Sequence, residues 1–310
     1  MLFYLIYMCV VTPFFCDSKK SEVCMCLFPI TVYRRRSGGS LIFNDMFING
    51  MSKDEYEREY ISFQIPCGKC VECVRVYSTH WQVRLLDELS CHDKACFITL
   101  TYAVNPGCVS KSDFQKFMKR LRKRFGKVRF FACGEYGKKN NRPHYHAILF
   151  GVDFEDKKPF FCSENGDQVY RSATLERLWR LGFSTIGEVT PESCLYVAKY
   201  MQKLDRREHS VEPFTLQSRK PAIGLLNGVS ASRLRTGSMT VRGHTVPLPR
   251  AYLEYARKYD GVDISAITEQ RIYRASMRPR ASVNELFVRR ANCLKSFGVL
   301  RKKRKSQKKA

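Results

Sequence analysis

Apolar and polar positions along the chain switch between periods of two and 3.6 residues, most legibly between residues 95 and 205. Phe97-Ile-Thr-Leu-Thr-Tyr102 is β-branched and aromatic, and Asn105-Pro106-Gly107 turns the chain after it. This predicts a strand. Over 112–125, Phe114, Phe117, Met118, Leu121 and Phe125 recur at i, i+3, i+4, i+7 and i+11. This predicts a helix that Ser110 can cap and Gly126 can end. Its other side, Lys116, Lys119, Arg120, Lys123 and Arg124, is a basic solvated face. Two strand-like runs follow, 128–136 and 144–150, joined by a loop over 137–143. A second helix is expected over 172–181, with Leu175, Leu178 and Trp179 inward and Gly182 as its stop. A short strand at 183–189 and a third helix at 192–204 complete the series. Strand, helix, hairpin, helix, strand, helix describes an α+β core: an antiparallel sheet with packed helices.

Outside that core the pattern is weaker. Residues 74–89 fit a helix, whereas 34–60, broken at Gly38-Gly39 and charged after Lys53, read as loop with a short strand near 41–43. Residues 218–249, with Gly224, Gly228, Gly237 and Gly243 and Pro221, Pro247 and Pro249, are loop-rich. Helices are expected again at 249–259 and 283–291, and 301–309 reads as a basic disordered tail. No internal repeat is visible. The organisation read from these shifts is an apolar extension (1–24), a cysteine-containing region (25–94), the core (95–205), an accessory region (206–298) and the tail (299–310). Residues 1–16 are apolar but lack a basic start and a small-residue cleavage site, and they are too short to span a bilayer. They read as an extension or a small packed element.

Charge narrows the partners. The 310 residues carry 54 Lys and Arg against 29 Asp and Glu, a formal charge of +25, with 44% hydrophobic residues. That is enough apolar material for a sizeable core, and the excess calls for a polyanion, either nucleic acid or an anionic membrane surface. The 14 cysteines are scattered apart from two clusters, which suits a reducing compartment better than a disulfide scaffold.

Two constellations carry chemistry. In His144-Tyr-His146 the period of a strand puts both imidazoles on one face, as two ligands to one cation require. If 128–136 and 144–150 form a hairpin, Glu135 lies opposite His144, and it is the only acid between Lys116 and Gly151. Two imidazoles and a carboxylate suit Mg2+ or Mn2+ with positions left open for phosphate oxygens. The second constellation is Tyr196, Lys199, Tyr200 and Lys203, at i, i+3, i+4 and i+7 of a helix. A phenol with pKa near 10 becomes a useful nucleophile when cations favour its charged form, and it can then hold a cut strand covalently. A further cluster, Cys67-Gly-Lys-Cys70-Val-Glu-Cys73, supplies either three thiolates of a structural zinc site, with His80, Cys24 or Cys26 as fourth ligand, or simply buried thiols.

Taken together, Arg142-Pro-His-Tyr-His-Ala-Ile-Leu-Phe-Gly151 resembles the histidine–hydrophobe–histidine motif of the HUH endonucleases. Tyr196-Val-Ala-Lys-Tyr-Met-Gln-Lys203 resembles the two-tyrosine motif of rolling-circle initiators, and Phe97–Tyr102 resembles their first strand motif. The order of the three is that of replication initiators. The chain is most similar to the initiators of gokushovirus-type microviruses, small single-stranded DNA bacteriophages; the apolar opening departs from that pattern. The resemblance implies an HUH core that nicks the origin of the double-stranded replicative form, leaves a 5′-phosphotyrosine and a 3′-OH, and later joins the displaced strand into a circle. It implies Tyr196 and Tyr200 as nucleophiles, Lys199 as their phosphate or phenolate partner with Lys203 beside it, and His144, His146 and Glu135 as metal ligands. Lys138, Lys139 and Arg142, with Lys116, Lys119, Arg120, Lys123 and the tail, are expected to meet DNA phosphates. The implied partners are phage origin DNA and the host polymerase. A host helicase is expected too, since the chain has no GxxxxGK[ST] motif. The implied location is the bacterial cytoplasm, with no stable membrane association. Rival readings are a non-enzymatic basic DNA binder, a metal-dependent phosphodiesterase using water, and a membrane-surface protein anchored by 1–16.

Overall fold

A seven-stranded antiparallel sheet organises most of the chain. The computed structural model describes residues 26–43, 53–137, 140–163, 166–200, 210–241, 243–276 and 282–307. They divide into two units, Met1–Val74 with Asp263–Ala310, and Arg75–Val262.

In the larger unit the strands are β3 (Ala95–Thr101), β4 (Arg129–Tyr136), β5 (Pro143–Phe150), β6 (Lys158–Cys162), β7 (Gln168–Arg171), β8 (Ser184–Gly187) and β9 (Phe214–Gln217). Their order is β6-β7-β8-β3-β5-β4-β9, each pair antiparallel. The α+β expectation therefore holds, and the hairpin pairs Glu135 with His144 and Cys133 with His146 as anticipated. The alternation of β4 and β5 distributes two cores to the two faces of the sheet. On the first face Ala132, Tyr145, Ala147 and Leu149 meet Phe114, Phe117, Met118 and Leu121 of helix α3 (Lys111–Phe125) and Leu175 and Trp179 of α4 (Ala173–Trp179). On the second, Phe131, Cys133, Ile148 and Phe150 meet Trp81 and Leu85 of α2 (Val71–Leu89) and Cys194, Val197 and Ala198 of α5 (Pro191–Tyr200).

Local signals set the ends of α3 as read: the Ser110 side chain accepts from the Asp113 N–H, and Gly126, at φ 78, ends the helix. The stop of α4 differs. Arg180, not Gly182, adopts the left-handed conformation (φ 64) and closes the helix onto Glu176 O. Gly182 is required for another reason. A Cβ there would sit 2.2 Å from Ala103 N, against the end of β3. Strands β6, β7 and β9 were not foreseen. β6 is an exposed edge strand, so burial imposes no alternation on it, and β9 is known only by its pairing with β4.

The fully buried Glu88 of α2 binds the Arg129 guanidinium, accepts the Gly224 N–H at 2.8 Å and lies 3.2 Å from His92 Nε2. This ties α2 to the sheet and to the loop after β9. Downstream lie α6 (Ala231–Thr236), the hairpin β10 (Ser238–Val241) and β11 (His244–Pro247), and α7 (Arg250–Tyr259). The stretch read as loop-rich thus contains short elements between its glycines.

The smaller unit contains β1 (Ile30–Arg35), α1 (Lys53–Glu59), β2 (Tyr60–Ile65), the first turn of α2, α8 (Ser265–Ser276) and α9 (Val283–Gln307). Much of 34–60 is therefore not loop: β1 pairs with β2, and Tyr33 forms a bridge to Ile42. The charged run becomes α1 because Asp54 and Glu55 open it and Arg58 closes it, matching the helix dipole. The basic segment 301–307, read as a disordered tail, continues α9; Lys, Arg and Gln are strong helix formers. The extension 1–24 lies outside the described residues.

Candidate active site

Three strands and one helix of the larger unit build the site. β5 presents His144 and His146 to the second face, and β4 presents Glu135 from the paired position. His144 Nε2 and His146 Nε2 lie 3.0 and 3.4 Å from the same carboxylate oxygen, Glu135 Oε1. Glu135 and His146 are buried, and the donor atoms of all three residues lie within 4.8 Å of one another.

The outer nitrogens are held as well. His144 Nδ1 is 3.1 Å from Arg142 O, and a carbonyl only accepts, so Nδ1 carries a hydrogen. The neutral ring then turns the Nε2 lone pair toward a carboxylate oxygen, acceptor against acceptor, unless a positive charge lies between them. His146 Nδ1 is 3.0 Å from Thr99 Oγ1 of β3. Outer partners of this kind fix ring orientation for a cation, and the donor set fits a hard divalent ion. Beneath the strand, Tyr145 points to the opposite face, where its hydroxyl meets Tyr102 Oη at 2.6 Å, the Ser110 N–H at 2.9 Å and Ser110 O at 2.8 Å. The middle residue of the His-Tyr-His triplet thus pins the backbone between the two imidazoles.

α5 crosses this face because Cys194, Val197 and Ala198 are buried against it. That packing turns Tyr196 toward the triad. Its ring is edge-on to His146, centroids 5.5 Å apart, and 6.3 Å from Phe97, which itself stacks on His146 at 5.6 Å. Tyr196 is still 43% exposed, leaving it open to a substrate. Burial, then the Glu135 carboxylate and Cys133, push its phenol up to about 12. This is opposite in sign to the activation expected from neighbouring cations, because the half-buried hydroxyl meets a carboxylate. Tyr200 is one helical turn further along α5, next in the chain to Lys199, while Lys203 lies outside the described residues.

The remaining expected DNA contacts separate from this cluster. Lys116, Lys119 and Lys123 are exposed on α3, which packs on the opposite face of the sheet. Arg120 is not a solvated contact. Its guanidinium donates to Leu178 O at 2.7 Å and Trp179 O at 3.1 Å, satisfying the carbonyl end of α4. Arg142 donates to Tyr102 O and Ala103 O at the end of β3, so its charge is engaged by backbone beside the histidines. Lys138 and Lys139 lie outside the described residues. Cys67, Cys70 and Cys73 gather with Cys26 in the smaller unit, all four Sγ atoms within 4.8 Å of one another; His80 is not among them, and Cys24 lies outside the described residues. Thr99 and Phe97 were missed as site residues. Their signal is their alternation with buried positions on β3, which gains meaning only once β3 pairs with β5.

An antiparallel sheet with a His-x-His strand, a carboxylate on the paired strand and a tyrosine-bearing helix on the same face defines a Rep-like protein of the HUH-endonuclease class. Comparison with known proteins agrees. The family model for the viral Replication-associated protein ORF2 matches residues 95–205. The chain is 34% identical over 194 residues to Replication-associated protein ORF2 of Spiroplasma virus 4, covering 57% of this chain and 60% of that protein. It is 30% identical over 226 residues to Replication-associated protein VP4 of Bdellovibrio phage phiMH2K, covering 67% and 72%. To Replication-associated protein ORF4 of Chlamydia phage 1 it is 29% identical over 245 residues, covering 72% and 61%. The matches thus span less than two thirds of the Spiroplasma virus 4 and Chlamydia phage 1 proteins. No solved structure matches. The chain belongs to the Rep-like family that these viral replication-associated proteins represent. Among the described residues no helix is long and apolar enough to cross a membrane.

Proposed function

We propose that the chain is the rolling-circle replication initiator of a gokushovirus-type microvirus, a site-specific endonuclease and strand-joining enzyme acting on phage origin DNA in the bacterial cytoplasm. The observation that carries this reading is the Tyr196 ring, solvent-accessible and 5.5 Å from His146, over the Glu135–His144–His146 cluster. In the nicking step the Tyr196 oxygen bonds to the scissile phosphorus, the P–O3′ bond breaks, and the phenol proton leaves as the 3′-oxygen becomes a hydroxyl. A divalent cation, Mg2+ or Mn2+, held by the three ligands would polarise the phosphate and offset the carboxylate charge that keeps Tyr196 protonated. Tyr200, one turn away, makes the second cut. The released 3′-OH then attacks the first phosphotyrosine, its P–O bond to tyrosine breaks, and that phenol regains a proton. Lys199 and Lys203 serve as phosphate or phenolate partners. The basic residues Lys116, Lys119, Lys123, Lys138 and Lys139 attract the DNA backbone, while Arg142 positions His144 through its carbonyl. Host polymerase extends the 3′-OH, and a host helicase opens the duplex.

The test uses single-stranded oligonucleotides tiling the genome that encodes the chain, incubated with Mn2+ and resolved on a denaturing gel. One oligonucleotide should give a covalent protein–DNA band. Either tyrosine changed alone to Phe should reduce the band, and Tyr196→Phe with Tyr200→Phe should abolish it. Cleavage leaving a free 5′-phosphate would establish the water-using phosphodiesterase instead. Salt-sensitive binding with no cleavage would establish the non-enzymatic binder.

A further inference from the structure

We infer that Cys26, Cys67, Cys70 and Cys73 bind one Zn2+ as a closed tetrathiolate site, which holds the smaller unit together. The spacing is the first argument. Cys26 Sγ and Cys70 Sγ are 3.8 Å apart. A disulfide requires about 2.05 Å, whereas two sulfurs on a tetrahedral zinc with Zn–S of about 2.3 Å are separated by about 3.8 Å. Convergence of four thiols, rather than two, within 4.8 Å is what tetrahedral coordination needs.

Backbone hydrogen bonds make the second argument. The N–H groups of Lys69 and Cys70 point to Cys67 Sγ at 3.4 and 3.3 Å. Gly68, at φ 69, turns the chain so that they can do so. The Cys67 N–H reaches Cys26 Sγ at 3.2 Å, and the Leu27 N–H reaches Cys70 Sγ at 3.4 Å. A thiol is a weak acceptor, so four amides aimed at three sulfurs mark a site built for thiolates. Unpaired thiolates at such distances would repel one another, and a divalent cation removes that repulsion.

The thiols are also a packing centre of the smaller unit. One buried cluster there is Cys26, Leu27, Cys70 and Cys293 with Phe28, Cys67 and Cys73 against it, so most of its side chains are the ligands themselves. α9 closes onto the cluster through Cys293, and Arg290 donates to Leu27 O at 2.8 Å with its guanidinium 6.0 Å from the Phe28 ring. With four protein sulfurs and no open position the site is structural, and its metal affinity is folding free energy for this unit.

The experiment measures metal content of the full-length protein, purified without chelator, by inductively coupled plasma mass spectrometry. One zinc per chain is expected, retained through dialysis against excess Mg2+ and retained in His144→Ala/His146→Ala, which removes the other cluster. Cys26→Ser should lose at least nine tenths of the zinc on dialysis against a mild chelator, and Cys293→Ser should keep it. Cobalt-substituted protein should show the strong red absorption of tetrahedral tetrathiolate Co2+. Should Cys26→Ser not fold, hydrogen exchange of the unmodified chain decides. Stripping zinc should deprotect β1, β2 and the start of α2 while β3, β4 and β5 stay protected. Wild-type protein without zinc, iron in its place, disulfides among the four cysteines, unchanged zinc in Cys26→Ser, or no loss of protection on stripping would each overturn the assignment. None of these measurements depends on DNA cleavage, so the outcome is separate from the proposed enzymatic function.

Discussion

The hydrogen bond between Thr99 and His146 offers a sharp perturbation of the candidate active site, because Thr99→Val removes one polar atom and keeps the shape. Valine is β-branched and favoured in strands, so β3 should retain its pairing with β5 and β8. What disappears is the oxygen 3.0 Å from His146 Nδ1. His146 is only 7% exposed, so water replaces that oxygen poorly. An unsatisfied buried group costs about 1–3 kcal/mol. If the ring must be held to present Nε2 to a cation, most of that appears as lost metal affinity, about 10–100-fold, or 1.4–2.8 kcal/mol. The assay is Mn2+ titration of the full chain, with free Mn2+ read by electron paramagnetic resonance, alongside thermal unfolding without metal. The expected result is weakened Mn2+ binding with metal-free stability changed by less than about 1 kcal/mol. Wild-type Mn2+ affinity in Thr99→Val, with His146→Ala abolishing binding, would refute the orienting role. Loss of affinity matched by an equal loss of metal-free stability would show that the bond serves the fold.

Three other outcomes follow from the buried charges and from the basic helix. Glu88→Gln should destabilise the larger unit by about 3–5 kcal/mol at neutral pH, as it leaves Arg129 buried without its countercharge. Burial alone would raise the Glu88 carboxyl, but the bonds from Arg129, Gly224 and His92 outweigh it and hold it below its ordinary value. Its contribution is therefore complete above the unfolded pKa of about 4.3 and lost as pH falls through the lower folded value; urea midpoints of wild type and variant should converge in acid. At the other end of the scale, burial pushes the Cys194 thiol up to about 12. Its contribution is complete below an unfolded pKa of about 8.5 and lost as pH rises toward 12, so Cys194→Val should flatten the alkaline fall in the urea midpoint. Finally, Lys119→Ala should lower the salt dependence of DNA binding by about one phosphate contact. Arg120→Ala should leave that slope unchanged and lower thermal stability instead.

Much of the site was legible because its parts are close in sequence. A hairpin with a short loop fixes Glu135 against His144, and a strand's period puts His144 and His146 on one face. The apolar stripe of α3 and the buried Cys194, Val197 and Ala198 of α5 likewise follow from helical periodicity. Arg120 misled for a related reason. Periodicity shows which face of a helix is polar, but not that a neighbouring helix will end its carbonyls there. Tyr196 misled differently: lysines i+3 and i+7 along the helix suggested a cationic setting, and the carboxylate that governs its phenol comes from β4.

By itself, then, the sequence determined the antiparallel α+β core, the imidazole pair with its carboxylate, and the order of motifs, since each is a consequence of backbone period or of a hairpin a few residues long. Tertiary structure alone decided that Thr99 braces His146 from a strand 47 residues away, that α3 and the active site occupy opposite faces, and that Cys26 completes a cluster begun 41 residues later. Contacts at such separations leave no periodic trace in the chain. They exist only where burial of two cores fixes which strand pairs with which and which helix covers which face.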